Sequence, residues 1–279
     1  LLVFMSGKPL ISVVMPAHNS KKYLASAIES VLNQTFKNFE LIIVNDASTD
    51  GTLRIIKQFA KKDSRIKIIN NKKRLDIAGS LNKGVEKAKA SLIARMDADD
   101  ISLQERLELQ YGLIGSSKRI AAVGADIIIM DSLGKDIDTR TYPESSKSLK
   151  ACMFKYSPFA HPVVMFRKEV FEKVGEYDPK YSPTEDLDLW FRMGRKYEFA
   201  SVPKLLLRYR LSEKSSSHSI LKRVEVLVFK IRIKAVLEYG YKPNAFDIIY
   251  NILQFLTLWI TPVKYRVKIY NLLRNNNII

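Results

Sequence analysis

The stretch SLIARMDADD (91–100) joins a short apolar segment to three carboxylates in four positions. Three earlier segments are also rich in apolar residues: LISVVMPA (10–17), ELIIVND (40–46) and RIKIIN (65–70). The near-continuous apolar run of the first segment is typical of a strand buried on both faces. The second segment predicts another buried strand, and the third predicts a strand. Apolar residues at helical spacing lie between these runs, at 23–32, 50–62 and 78–90. Strands that alternate with helices through short links predict βαβ units and a parallel sheet.

Polar residues follow three of the predicted strands at their carboxyl ends, where open α/β sheets bind ligands. They are the PAHN turn (16–19), Asp46, and the cluster of Asp97, Asp99 and Asp100. Clustered carboxylate oxygens suit Mg²⁺ or Mn²⁺ rather than zinc. The alternative for the cluster alone is an acidic turn, since Asp is common in turns.

The residues after this cluster predict a helix that begins at Ser102, with Glu105 completing a capping box. From residue 119 the regular alternation stops. Residues 119–130 and 163–170 are predicted to be strands or strand ends, and 131–136 a turn. A helix is predicted at 184–197 with Thr184 as N-cap, followed by an extended segment at 198–210 and a serine-rich loop at 212–219.

The composition limits the class of protein. The chain has 279 residues, is 47% hydrophobic and carries a formal charge of +17, which fits a globular protein with an anionic partner. No run approaches the roughly 20 apolar residues that span a bilayer. The lone cysteine, Cys152, excludes an intrachain disulfide and agrees with a reducing, cytoplasmic compartment.

Three motifs in the order VVMPAHNSKKYLASAIESVLNQTF, ELIIVNDASTDGT and SLIARMDADD closely resemble glycosyltransferase family 2. The resemblance covers roughly residues 10–212. It implies an inverting enzyme of the bacterial polysaccharide, hexosyl-transferring type with the GT-A fold, an α/β mixed sheet with helices on both faces. We expect a catalytic domain over 1–215, made of a nucleotide-binding half (about 10–118) and an acceptor half (about 119–215), and a basic amphipathic helical tail over 216–279.

The resemblance also assigns roles to the strand-end residues. Asp97 is expected to reach the ribose or the metal, and Asp99 to ligate Mn²⁺ or Mg²⁺. Asp100 is equally well explained as a turn residue. Arg74 or Lys73 is a candidate contact to phosphate or ribose, with a solvated turn as the alternative. The residues expected to line the nucleoside pocket are Pro16, Ala17, Asn19 and Asp46.

The segment TEDLDLW (184–190) resembles the acidic motif that supplies the family's catalytic base. This indicates Asp186 as the base, with Glu185 beside it in the catalytic site. A position in the first turn of a helix lowers the pKa of a carboxylate, so Asp186 needs burial to be an effective base. His161 and Trp190 are candidates for the acceptor side, and a structural role is an equally good interpretation of each.

One departure concerns the metal. Many family members have a metal-ligating His two residues beyond a YR strand end, where this chain has Ser212. His218 lies six residues further on and is the candidate replacement.

The resemblance implies a nucleotide-sugar donor, with UDP the commonest choice, and a glycan or lipid-linked acceptor. The alternative is a metal-dependent nucleotidyltransferase, which is weakened because the chain lacks a glycine-rich phosphate loop after the first strand. A nucleic-acid-binding module ranks last, because the acidic cluster repels phosphate and the basic residues are dispersed.

The tail combines positive charge with apolar blocks. From Leu221 onward, ten lysines and arginines stand against three acidic residues, a net charge of +7, and IIYNILQFLTLWI (248–260) is mostly apolar. This combination predicts an interfacial helix on the anionic inner face of the cell membrane. The alternatives are packing onto the catalytic domain and a dimer interface.

Overall fold

A computed structural model describes residues 7–211, 218–258, 260–261 and 263–275. The strands in this part of the chain are β1 Ile11–Ala17, β2 Phe39–Asp46, β3 Ile66–Asn71, β4 Leu92–Arg95, β5 Ile101–Ser102, β6 Ile120–Met130, β7 Asp136–Arg140, β8 Met165–Arg167 and β9 Glu198–Arg210. The helices are α1 Leu24–Leu32, α2 Thr52–Lys62, α3 Asp76–Lys87, α4 Arg106–Gly115, α5 Ser146–Cys152, α6 Lys168–Val174, α7 Glu185–Gly194, α8 His218–Leu237, α9 Ala245–Thr257 and α10 Val263–Asn275.

The strands form one mixed sheet in the order β3-β2-β1-β4-β8-β6-β9-β5, with β7 beside β6. The first four strands in this order are parallel, as the alternation of strands and helices predicts. Strand β8 is antiparallel to both of its neighbours, and β9 is parallel to β6. The carboxyl ends of β1, β2 and β4 therefore meet at one edge of the sheet.

Helices cover both faces of the sheet. Successive side chains of β1 alternate between two hydrophobic clusters. Val13 and Met15 belong to the cluster that contains residues of α1, α2 and α4, whereas Val14 belongs to the cluster that contains residues of α3, α6, α7 and α8. All three side chains are almost fully buried. This arrangement confirms the α/β fold class and the prediction that the first two strands are buried. Strand β3 lies at the edge of the sheet, and its Lys67 and Ile68 side chains are exposed.

The predicted helix start at Ser102 is wrong. Residues Ile101–Ser102 form β5, antiparallel to β9, and helix α4 begins only at Arg106. Tertiary hydrogen bonds stabilise the extended form: the Ser102 amide donates to Ser30 Oγ (3.0 Å), and Gln34 Nε2 donates to Ser102 Oγ (3.1 Å).

Two further predictions were partly wrong. In the segment predicted as a strand over 163–170, only Met165–Arg167 is a strand, and helix α6 follows directly. Thr184 is the N-cap residue of α7 as predicted, but its hydroxyl donates to the Tyr181 carbonyl (2.8 Å) instead of capping the helix.

The C-terminal helices pack against the part of the chain that contains the sheet. Ile231 and Ala235 of α8 are fully buried in the cluster that contains α7. Helix α9 begins with a capping box formed by Asn244 and Asp247. Within the described residues, the structure contains no helix long and apolar enough to cross a membrane.

Candidate active site

The carboxyl ends of β1, β2 and β4 open into one cleft of about 270 Å³. It contains five of the six residues predicted to bind the donor, and also the predicted metal ligand Asp99. The lining residues are Pro16, Ala17, His18, Ser20, Asp46, Arg74, Asp76, Ile77, Ser80, Asp97, Ala98 and Asp99. The donor and metal residues predicted from the sequence did not include the other six: His18, Ser20, Asp76, Ile77, Ser80 and Ala98.

Asp46 is held rigidly at the floor of this cleft. Its Oδ1 accepts hydrogen bonds from Asn71 Nδ2 and from the Leu75 amide, both at 2.9 Å. Its carbonyl oxygen accepts a 2.6 Å hydrogen bond from His18 Nδ1. Because a carbonyl oxygen can only accept, this contact places a proton on Nδ1 of His18. These hydrogen bonds hold Asp46, at the end of β2, in a fixed position relative to the end of β1.

Asn19, the sixth predicted donor residue, is not among the residues that line the cleft. Its Oδ1 accepts a hydrogen bond from the Thr49 amide (2.8 Å), and its own amide donates to Ser48 Oγ (3.1 Å). Its backbone has a φ of 50°, a left-handed conformation that Asn tolerates better than most residues. Asn19 therefore joins the turns that follow β1 and β2.

Arg74 lies at the mouth of the cleft. Its Nε forms a 2.9 Å ion pair with Asp76 Oδ1, and both side chains are well exposed. Surface ion pairs of this kind are weak, so the guanidinium is available to a ligand at small cost. The sequence offered only the basic composition of the segment as a signal for this position.

The acidic motif after β4 forms a compact cluster. One carboxylate oxygen from each of Asp97, Asp99 and Asp100 lies within 4.8 Å of the others. Burial and the neighbouring Asp97 charge raise the pKa of Asp99 to about 6. Burial, followed by the charges of Asp97 and Asp99, raises the pKa of Asp100 well above its ordinary value. The cluster thus concentrates negative charge that favours a cation.

Asp100 combines a structural contact with a free oxygen. Its Oδ1 accepts a 2.8 Å hydrogen bond from the Arg210 amide at the end of β9. Its Oδ2 is buried and has no hydrogen-bond partner among the described residues. A buried carboxylate oxygen without a partner is costly, and a bound cation would relieve that cost. The donor set of three carboxylates therefore fits a hard divalent ion.

Two buried arginines that the sequence did not single out support the cluster. Arg95, the last residue of β4, donates from Nη1 to Asp97 Oδ2 at 2.6 Å and is almost inaccessible to solvent. Arg106 donates from Nη2 to the carbonyl oxygen of Arg95, also at 2.6 Å. Arg106 thus holds the end of β4 in place, and Arg95 orients the Asp97 carboxylate. The available signal was a cation that ends an apolar strand.

Asp186 and Glu185 lie in the first turn of α7, and the charge of Arg95 acts on both. Asp186 is partly buried and accepts a 3.4 Å hydrogen bond from Ser157 Oγ. Burial raises the pKa of Asp186 above its ordinary value despite the helix N-terminus, which makes it a stronger base. Glu185 is buried, and desolvation with the nearby Asp186 charge raises its pKa to about 7.

His161 lies beside this acidic pair. Its Nε2 is 2.9 Å from the Tyr177 hydroxyl, and its Nδ1 is 4.0 Å from Glu185 Oε1. Burial and the Arg95 charge lower the pKa of His161 well below its ordinary value, so the ring is neutral. Trp190 is fully buried and packs edge-on against Phe159 and His161, so its ring is part of the core.

The position predicted for a third metal ligand follows the end of β9 by two residues. Arg210 donates from Nε to the Asp99 carbonyl oxygen (2.8 Å), which ties the YR strand end to the acidic cluster. Ser212, the position of the family's His, lies outside the described residues. His218 begins α8, but its side chain also lies outside the described part of the chain.

Solved structures share this architecture. Staphylococcus aureus TarS (residues 1–349, in complex with UDP) superimposes with a TM-score of 0.63 and 19% sequence identity, covering 82% of this chain and 67% of that one. The mannosyltransferase PcManGT from Pyrobaculum calidifontis (in complex with GDP-Man and Mn²⁺) gives 0.65 and 14%, covering 92% and 71%. The fold is that of the GT-A glycosyltransferases.

Sequence comparison gives the family. Residues 12–175 match the family model described as Glycosyl transferase family 2. The O-antigen biosynthesis glycosyltransferase WbnJ of Escherichia coli is 36% identical over 230 residues, which cover 80% of this chain and 88% of WbnJ. The chain therefore belongs to glycosyltransferase family 2 and is a glycosyltransferase.

Proposed function

We propose that the protein is an inverting glycosyltransferase that moves a sugar from a nucleotide-diphosphate donor, a UDP-sugar, to a glycan or lipid-linked acceptor. The observation that carries this proposal is the meeting of Asp46, Asp97 and Asp99 in one cleft at the carboxyl ends of parallel strands. We retain the division into a catalytic domain over 1–215 and a tail over 216–279 as part of the proposal.

The cleft has the chemistry to bind a nucleoside diphosphate. Asp46 presents a fixed carboxylate for polar groups of the nucleoside, and Pro16 and Ala17 provide an apolar wall. Arg74 at the mouth offers a guanidinium to the diphosphate or ribose, as guanidinium groups commonly do for phosphates. TarS and PcManGT, which share the fold, were solved with UDP and with GDP-Man.

We assign the divalent cation, Mn²⁺ or Mg²⁺, to Asp97 and Asp99, with the free Oδ2 of Asp100 as a further candidate oxygen. Once bound, such an ion neutralises charge that develops on a leaving diphosphate. Arg95 holds Asp97 in place through its 2.6 Å ion pair. The PcManGT structure contains Mn²⁺.

Asp186 is proposed as the general base. The acceptor hydroxyl oxygen forms a bond to the anomeric carbon while the bond from that carbon to the diphosphate oxygen breaks. The hydroxyl proton passes to the Asp186 carboxylate, and the nucleoside diphosphate leaves. A direct displacement of this kind inverts the anomeric centre, so no carboxylate nucleophile is needed.

Glu185, His161 and Tyr177 form the wall next to Asp186. We propose that Glu185 is part of the catalytic site because it is buried with Oε2 unpartnered within the described residues. His161 is retained as an acceptor-side residue. Trp190 contributes there only through the packing of His161, since its ring is enclosed.

The acceptor and the location are proposed from the relatives and from the tail. WbnJ is named as an O-antigen biosynthesis enzyme, so a bacterial polysaccharide precursor is the acceptor class that we favour. The basic, apolar tail supports a cytoplasmic protein in peripheral contact with the anionic inner face of the membrane. Nucleic acid is not proposed as a partner, and none of the three proteins compared above is named as a nucleotidyltransferase.

The test is a calorimetric titration of UDP into the protein with and without Mn²⁺. We expect the ion to strengthen binding, and Asp99→Ala to abolish that strengthening. Asp138→Ala, an exposed acid on β7, is the matched control and should bind like the wild type. A panel of sugar nucleotides in the same format identifies the donor.

Unchanged Mn²⁺-dependent binding in Asp99→Ala would exclude this residue as a metal ligand. A protein that binds no sugar nucleotide but releases pyrophosphate from nucleoside triphosphates would instead support nucleotidyl transfer.

A further inference from the structure

Helix α9 has the reverse orientation of an ordinary surface helix, whose apolar side faces the protein. Its polar side chains Asp247 and Asn251 are the buried ones. Asn251 Nδ2 donates to the Phe154 carbonyl (2.8 Å), and Asn251 Oδ1 accepts from Nη1 of the buried Arg232 (2.8 Å). Arg232 Nε also donates to the Met153 carbonyl (3.1 Å). Polar hydrogen bonds therefore fix the orientation of α9.

As a consequence, the apolar side of α9 faces away from the protein. Ile249, Leu253 and Leu256, which follow one another at helical spacing, are 57%, 55% and 56% exposed. They belong to a surface that we name the outer apolar face: Ile233, Val236 and Leu237 of α8, and Phe246, Ile248, Ile249, Ile252, Leu253 and Leu256 of α9.

This face is unusual for a protein surface. Most of the large apolar side chains that are exposed in the described residues lie in the three C-terminal helices. The face includes an apolar groove of about 230 Å³ between α8 and α9. Contiguous apolar surface of this kind marks a site of interaction. Scattered exposed residues elsewhere, such as Leu133 and Ile137, form no such cluster with it.

Charge identifies the partner. Some cationic side chains of the tail have partners within the protein. Arg232 is buried, Lys234 pairs with Asp188 at 2.9 Å, and Arg274 stacks on Tyr156 at 4.2 Å. Exposed lysines remain near the face, at Lys230 on α8 and at Lys242 just before α9. A second copy of a chain with a net charge of +17 would be repelled, whereas an anionic lipid surface is attracted.

We propose that the outer apolar face is the surface through which the enzyme docks on an anionic lipid bilayer, with α9 lying in the plane of the interface. The inference rests on the membrane contact proposed above and specifies the residues that make it. Apolar side chains enter the boundary between headgroups and acyl chains while the flanking lysines contact the headgroups. None of the residues that line the donor cleft belongs to α8 or α9, so the proposed docking surface and the cleft share no residue.

The experiment measures co-sedimentation with phosphatidylcholine vesicles, with and without phosphatidylglycerol, at two salt concentrations. The test variant is Ile249→Gln/Leu253→Gln. The matched control is Leu133→Gln/Ile137→Gln, which removes two exposed aliphatic residues outside the face. We expect binding to need the anionic lipid, to weaken with salt, and to fall roughly tenfold or more in the test variant alone.

Light scattering and donor hydrolysis in solution accompany the sedimentation. Equal vesicle binding by the test variant and the wild type, or no binding by the wild type, would overturn the inference. So would a wild-type dimer that the test variant dissociates, since the face would then be an interface between two copies. If neither the wild type nor the variants hydrolysed the donor, the proposed enzymatic function would be contradicted. The vesicle-binding result would still test the docking surface separately.

Discussion

Glu185 provides a stability prediction that follows directly from its burial. Its side chain is 1% exposed, and its pKa is raised from the ordinary value of 4.5 to about 7, chiefly by desolvation and then by the Asp186 charge. Between these two values the folded protein holds a proton that the unfolded chain has released. The folded state is therefore favoured most below pH 4.5, and this contribution is lost as the pH rises through 7.

The size of the effect follows from the shift. Each pKa unit corresponds to about 1.4 kcal/mol, so ionisation of Glu185 costs the folded state about 3 kcal/mol by pH 8 and almost nothing at pH 4.5. Glu185→Gln removes the titration. The free energy of unfolding of Glu185→Gln minus that of the wild type should therefore increase by about 3 kcal/mol from pH 4.5 to pH 8. Any change in packing adds a constant that does not depend on pH.

The measurement is urea unfolding at several pH values from 4.5 to 8, with chelator present to exclude metal binding. Glu29→Gln, which makes the same change at an exposed carboxylate on α1, is the matched control. If the difference between Glu185→Gln and the wild type stayed constant within about 0.5 kcal/mol across the range, the assigned burial and pKa of Glu185 would be incorrect.

Two other substitutions probe the site. Asp186→Asn should reduce glycosyl transfer about 10²- to 10⁴-fold with little change in the KM for the donor, because it removes proton acceptance and keeps the shape; near-normal turnover in steady-state kinetics would exclude Asp186 as the base. Arg95→Met should lower the free energy of unfolding by ~3–5 kcal/mol, because it leaves buried acids without their cation. The exposed Arg119→Met is its control, within about 0.5 kcal/mol of the wild type; a similarly small loss in Arg95→Met would contradict a supporting role.

Much of the candidate site could be found from the sequence because strand ends are local features. Once a buried strand is recognised, the residue after it is placed at the edge of the sheet, and Asp46, Asp97 and Asp99 were located in this way. Asn19 could not be resolved similarly. Its neighbours line the cleft, but its side chain turns to Thr49, a partner 30 positions away.

The sequence by itself determined the parallel half of the sheet and the edge that carries the acids. Apolar runs that alternate with helical spacing indicate parallel strands covered by helices, and the residues after each run lie at the carboxyl end of its strand. Tertiary structure decided what periodicity cannot express. Burial raised the pKa of Asp186 against the effect of its helix N-terminus. Hydrogen bonds from the Ser102 amide to Ser30 Oγ and from Gln34 Nε2 to Ser102 Oγ made Ser102 part of a strand rather than a helix start.

The orientation of α9 shows the same limit most clearly. The sequence of α9 is amphipathic, which by itself does not specify which side of the helix faces the protein. The ordinary expectation is that the apolar side packs against the core. The buried guanidinium of Arg232 and the carbonyl oxygen of Phe154 need polar partners, and Asn251 supplies them. Because an unsatisfied buried polar group costs more than an exposed leucine, these long-range hydrogen bonds turn the apolar side of the helix outward.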